Sequence, residues 1–116
     1  MRNRPAFTLV ETLVALALFQ FGMLALAAGV AVAARDLAAA RRATTAHTMA
    51  RNRVEWLASA SCPLSGVGTA ETDGYVEHWR VEAVDGRRLI RDSVVFPRPN
   101  GTRGFVVARA ARWCRP

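Results

Sequence analysis

A chain of 116 residues has room for one domain, and an apolar N-terminal run takes about a quarter of it. That leaves a globular part of about 80 residues, whose core is marginal without a staple or a partner surface. The formal charge of +7 rests on arginine alone, with no lysine, and reads as the codon bias of a GC-rich genome; it would suit phosphate or anionic lipid, but the arginines scatter from Arg35 to Arg115 without the interleaved aromatics of a single-strand groove and give nucleic acid little support.

The chain opens on "MRNRPA", a short basic stretch ending in the small residue Ala6. From Phe7 to Ala34 the only formal charge is Glu11. A helix over that stretch is about 42 Å long at 1.5 Å per residue, more than the roughly 30 Å of a bilayer's hydrocarbon core. Gly22 and Gly29 are tolerable in such a helix, and no proline interrupts it. A cleaved secretory signal is the rival reading, with "AVAA" near Ala34 as its cleavage site. Its apolar region is shorter, about 7–15 residues, and Glu11 would interrupt it where it should be cleanest. A carboxylate at mid-bilayer costs on the order of 2.5–3.5 kcal/mol and calls for a partner. If the leader is removed between Ala6 and Phe7, Phe7 carries a free ammonium. Glu11, four residues on, lies about 6 Å deeper on the same helical face and can neutralise an N-terminal amine, its own or a neighbour's.

At this point "AFTLVETLVALALF" resembles a known signal, the class III leader of type IV prepilins and of the pseudopilins of type II secretion. There a short basic leader is cut before phenylalanine in the pattern G-F-T-L-[IV]-E-x-L-V-A-L. Phe7, Thr8, Leu9, Val10, Glu11, Leu13, Val14, Ala15 and Leu16 all match without a gap; Ala6 stands where the family has glycine. The continuation "ALALFQFGMLALAAGVAVAARDLAAARRATTAHTMARNRVEWL" looks like minor pilins of V type and pseudopilins of I type. Together the two likenesses cover about half of the chain. The resemblance implies that prepilin peptidase cuts after Ala6 and methylates the Phe7 amine. It implies that Glu11 pairs with that amine on an adjacent subunit as the filament assembles. The partners it implies are other pilin or pseudopilin subunits, the peptidase, an inner-membrane assembly platform and membrane lipid. No cofactor or catalytic residue is implied. The N-terminus would lie in the cytoplasm and the head in the periplasm, before assembly into a pilus or pseudopilus. Charge alone points the other way: only Arg2 and Arg4 precede the span, whereas Arg35, Arg41, Arg42, Arg51 and Arg53 follow it. The leader motif is the more specific signal.

From Arg35 to Ala60 there is neither Gly nor Pro, and the helix is expected to continue. Ala39, Ala43, Ala46, Ala50, Val54 and Leu57 recur at spacings of three and four and make a stripe on which a sheet could pack closely, with Met49 and Trp56 flanking it. Ser59 to Gly74 reads as a loop by composition. Tyr75 to Val84 alternates, with Tyr75, Trp79, Val81 and Ala83 on one face. Asp85-Gly86 is a two-residue hairpin signal, Leu89 to Phe96 would pair back, and Gly104 to Cys114 would follow the turn "PRPNGTRG" as a third strand. Asn100-Gly101-Thr102 also fits a glycosylation sequon, though the turn explains it as well.

Cys62 and Cys114 are spaced unlike any zinc motif, and His47 and His78 add no paired ligand pattern. In an oxidising compartment the cysteines would close a loop of about fifty residues, worth about 3–4 kcal/mol; two unrelated buried thiols are the alternative. The small domain's need of a staple and the export-like start favour the disulfide.

The expected architecture is α+β: a leader over residues 1–6, a membrane and assembly helix over 7–34, its extracytoplasmic continuation over 35–60, and a small β-rich head over 61–116. The function expected is that of a non-enzymatic minor pilin or pseudopilin subunit. The alternative is a simple membrane-anchored extracytoplasmic binding protein with an uncleaved signal anchor, whose N-terminus would stay at Met1. A nucleophile built from Cys62 with His47 or His78 has no local signature.

Overall fold

The computed structural model describes residues 7–61 and 65–114. The expected leader with Ala6, and Cys62, lie outside the described residues. One helix, α1 (Leu9–Ser59), is followed by four strands: β1 (Gly66–Thr72), β2 (Tyr75–Val84), β3 (Arg87–Pro97) and β4 (Arg103–Trp113). The chain divides into two compact units at Asp36 and Leu37.

The first unit is the apolar part of α1. Residues 7–37 are all exposed. The helix contains a window of mean hydropathy 2.2, long and apolar enough to cross a membrane. Phe7, Leu9, Val10, Phe19 and Phe21 are each more than 60 % exposed, so the segment has no protein core of its own to sit in.

In the second unit the later turns of α1 pack on the sheet, an α+β arrangement. Of the expected stripe, Ala46, Ala50, Val54 and Leu57 are buried, and Ala39 and Ala43 are half-buried. Ala46 and Ala50 are fully buried, and Val94, Phe96 and Val106 pack with them in one cluster. Further along, Val54 and Leu57 meet Val81 and Ile90. Met49 packs against the first of these clusters, whereas Trp56 stays 62 % exposed. The sheet is an antiparallel meander in the order β1-β2-β3-β4. Period-two alternation in β3 places Arg88, Ile90, Asp92, Val94 and Phe96 on the helix side and Leu89, Arg91 and Ser93 on the other.

The sheet has four strands where the sequence predicts three. Residues 59–74 contain β1, because Asp73-Gly74 makes the same turn as Asp85-Gly86. Both residues of each pair have positive φ: 51° and 80° in the first turn, 51° and 70° in the second. That is the turn whose twist matches paired strands. One of the glycines that make this stretch read as a loop has a packing use: Gly68 pairs with Trp79, and a Cβ at Gly68 would run into the indole ring. At the third turn Asn100 spends its side chain locally, accepting at Oδ1 from the Thr102 amide and hydroxyl.

The end of α1 is finished by the sheet. The last turn holds no basic residue of its own. Instead Arg88, only 2 % exposed, reaches from β3 and donates to the carbonyls of Ala58 at 2.8 Å and Ala60 at 3.0 Å. A guanidinium there satisfies orphan carbonyls and opposes the negative end of the helix dipole.

Candidate functional site

The N-terminal site is built by Thr8 and Glu11. Thr8 directly precedes the helix and Glu11 stands in its first turn. The Thr8 amide donates to Glu11 Oε2 at 2.8 Å and its hydroxyl donates to the same oxygen at 3.0 Å. In return the Glu11 amide donates to Thr8 Oγ1 at 3.3 Å. This reciprocal pair is a capping box, which satisfies two of the amides that every helix start leaves open. The signal was readable as Thr-x-x-Glu before an apolar run, and the sequence reasoning above, fixed on the charge alone, misses it.

The cap changes what Glu11 has to explain. A carboxylate at a helix N-terminus faces the positive end of the dipole and holds bonds from its own chain, so part of its cost in an apolar segment is met locally. Both local bonds fall on Oε2, and no hydrogen bond within the described residues reaches Oε1. One oxygen therefore fastens the helix start while the other remains available to an outside cation. Phe7, next to the cap, is 82 % exposed. Its expected partner in cleavage, Ala6, is outside the described residues.

The head holds a second polar group that sequence reasoning misses, between α1 and the sheet. Arg53 on the helix donates to Glu77 of β2 at 2.9 Å and lies over the Trp79 ring at 4.4 Å. Asp92 of β3 is fully buried, and neither of its oxygens has a hydrogen-bond partner. Burial pushes its carboxyl up to about 6, and the Glu77 charge adds to the rise, while the Arg53 charge opposes it. The alternation of β3 would have placed Asp92 with Ile90 and Val94, so its burial could have been read once the strand's inner face was known. The Arg53–Glu77 pair ties α1 to β2 beside the buried Asp92.

Among the described residues the two histidines lie on different elements. His47 and His78 are both exposed, one on α1 and one on the sheet face away from it. Among the described residues no group of three or more His, Cys, Asp or Glu could hold a metal ion, and no cysteine is free. The Cys114 amide donates to the Gly86 carbonyl at 3.1 Å, which fixes the end of the sheet beside the Asp85-Gly86 turn. Its expected partner Cys62 is outside the described residues.

No protein-family model, curated protein or solved structure matches the chain.

Proposed function

We propose that the chain is a minor pilin or pseudopilin subunit, stored in the inner membrane through its N-terminal helix and drawn from there into a type IV pilus or a type II secretion pseudopilus. The observation that carries this reading is the start of α1. A capped Thr8–Glu11 pair, inside the motif from Phe7 to Leu16, opens an exposed apolar helix that runs on into the stripe beneath the sheet. A helix that is apolar all round suits lipid, and equally a bundle of like helices.

In this reading prepilin peptidase removes residues 1–6 and the Phe7 amine is methylated. The new ammonium of one subunit then meets Glu11 of a neighbour. The open Oε1 supports that step, since the carboxylate need not give up its cap to accept the contact. The head stays on the far side of the membrane, held by a bond between Cys62 and Cys114. The work done is assembly, with no chemistry asked of any side chain.

The test is co-assembly in the native host. Sheared filaments and cross-linked envelope complexes should contain the chain alongside other pilin-type subunits, shortened at its N-terminus. A chain found only as a dispersed, full-length membrane protein would refute the proposal.

A further inference from the structure

Arginines that lie far apart in sequence meet on the sheet face turned away from α1. Arg80 pairs with Arg91, and Arg91 with Arg109, so three guanidiniums stand in one row across β2, β3 and β4. Neighbouring strands are about 4.8 Å apart, and like charges placed directly opposite destabilise a sheet. Among the described residues the one carboxylate that answers them is Glu82, 3.4 Å from Arg80, and both partners are more than half exposed. Arg91 and Arg109 have no ion pair within the described residues. The row crosses an open groove of about 1150 Å³, whose wall also includes Thr69, His78 and Ser93.

The same face carries two aromatic rings. Phe105 and Trp113 lie on β4 four residues to either side of Arg109, and they are 73 % and 65 % exposed. They are about 27 Å apart along the strand, and the cationic row meets β4 midway between them, at Arg109, running across the strands. Arg87 lies over the Trp113 ring at 4.0 Å and brings a fourth cation to that end. Cations that can follow a backbone, flanked by rings on which bases can stack, are the two elements of single-strand recognition. A bare acidic peptide would use the row and leave the rings idle. A duplex would keep its bases stacked on each other and out of reach of both rings.

We propose that this face binds single-stranded nucleic acid running along β4, with Arg109, Arg91 and Arg80 gathered on the phosphates midway between Phe105 and Trp113, which serve as stacking platforms. The span between the rings fits a segment of on the order of four nucleotides. The inference is independent of the proposed function, since it concerns only the outer face of the head.

Fluorescence anisotropy tests it, using the full chain in zwitterionic detergent and a labelled oligothymidylate of about twelve nucleotides. Three phosphate contacts predict that log K falls against log salt with a slope near −2, at about 0.7 per contact. Arg91→Gln should flatten that slope by about 0.7, and the triple change Arg80→Gln, Arg91→Gln, Arg109→Gln should abolish binding. Phe105→Ala should weaken binding at least about fivefold and leave the slope unchanged. The arginine variants should melt no lower than the unaltered chain, because the substitutions relieve repulsion, so loss of binding cannot be laid to unfolding. A duplex that binds as tightly as the single strand would overturn the proposal. So would polyglutamate or anionic phospholipid vesicles that compete as well as the oligonucleotide does, or a triple variant that still binds.

Discussion

At position 11, glutamine keeps the reach and hydrogen-bonding shape of glutamate and drops its charge, while Thr8→Val keeps the charge and drops the cap. The two substitutions separate what the Thr8–Glu11 pair does for its own helix from what Glu11 offers a neighbour. Glu11→Gln should preserve the capping box, since either side chain can close it. Processing and membrane retention should survive, and the subunit should be missing from sheared filaments, because a neighbour's ammonium stays unpaired in a dry bundle. Thr8→Val should cost the helix start about 1 kcal/mol and still assemble. Normal assembly of Glu11→Gln would move the role of Glu11 from pairing to capping alone. In the head, Asp92 makes a prediction about pH. Its carboxyl is raised to about 6, so the folded state holds a proton more readily than the unfolded chain. The stability tied to that proton is complete below about pH 4 and is lost as pH rises through about 6. A shift of about two units corresponds to on the order of 3 kcal/mol. Asp92→Asn should remove this loss, so that the variant's advantage in thermal melts grows between pH 4 and 7. A constant difference across that range would mean that Asp92 titrates as an ordinary carboxylate.

Among the elements, the C-terminus of α1 and the edge strand β1 depend most on single residues. Arg88→Met keeps apolar bulk but removes both bonds to Ala58 and Ala60. It should destabilise the head by about 2–3 kcal/mol, or roughly 10 °C or more in Tm. Arg88→Lys should recover only part, since an ammonium lacks the fork that spans two carbonyls. Gly68→Val should fray β1 from β2 by driving a side chain into Trp79, seen as faster amide exchange along β1 with β3 protected as before. These two residues also mark where the sequence stops being legible. The helix, its buried stripe and the Asp85-Gly86 hairpin follow from local period and turn chemistry. The stretch before Asp73-Gly74 carries the same turn signal, but its glycines read as loop until the Trp79 ring that Gly68 accommodates is in place. The Arg88 cap could not be read at all, because a strand supplies a helix with the cation its own last turn lacks. The row of Arg80, Arg91 and Arg109 is hidden for a related reason: only the register set by two successive turns brings the three together. The Thr8–Glu11 box, by contrast, is local and legible in full.

For the whole molecule the account is a helix that exchanges lipid for like helices, carrying a small head through the transfer. Cys62 and Cys114 should be bonded in the native host, so that thiols become alkylated only after reduction and unfolding. Reduction should lower head stability by about 3–4 kcal/mol. Free thiols in the native protein would instead favour a head on the cytoplasmic side, as the arginines after the span suggest. Most of the assembly reading depends on one covalent event, because an uncut leader would leave "MRNRPA" ahead of Phe7 and no ammonium where Glu11 can meet it. Intact-mass and N-terminal peptide analysis of the protein purified from its native host therefore tests the central claim most directly. The account predicts a chain that has lost residues 1–6 and begins at Phe7 with one methyl group on its amine. A chain that begins at Met1, or one cut near Ala34, would contradict it.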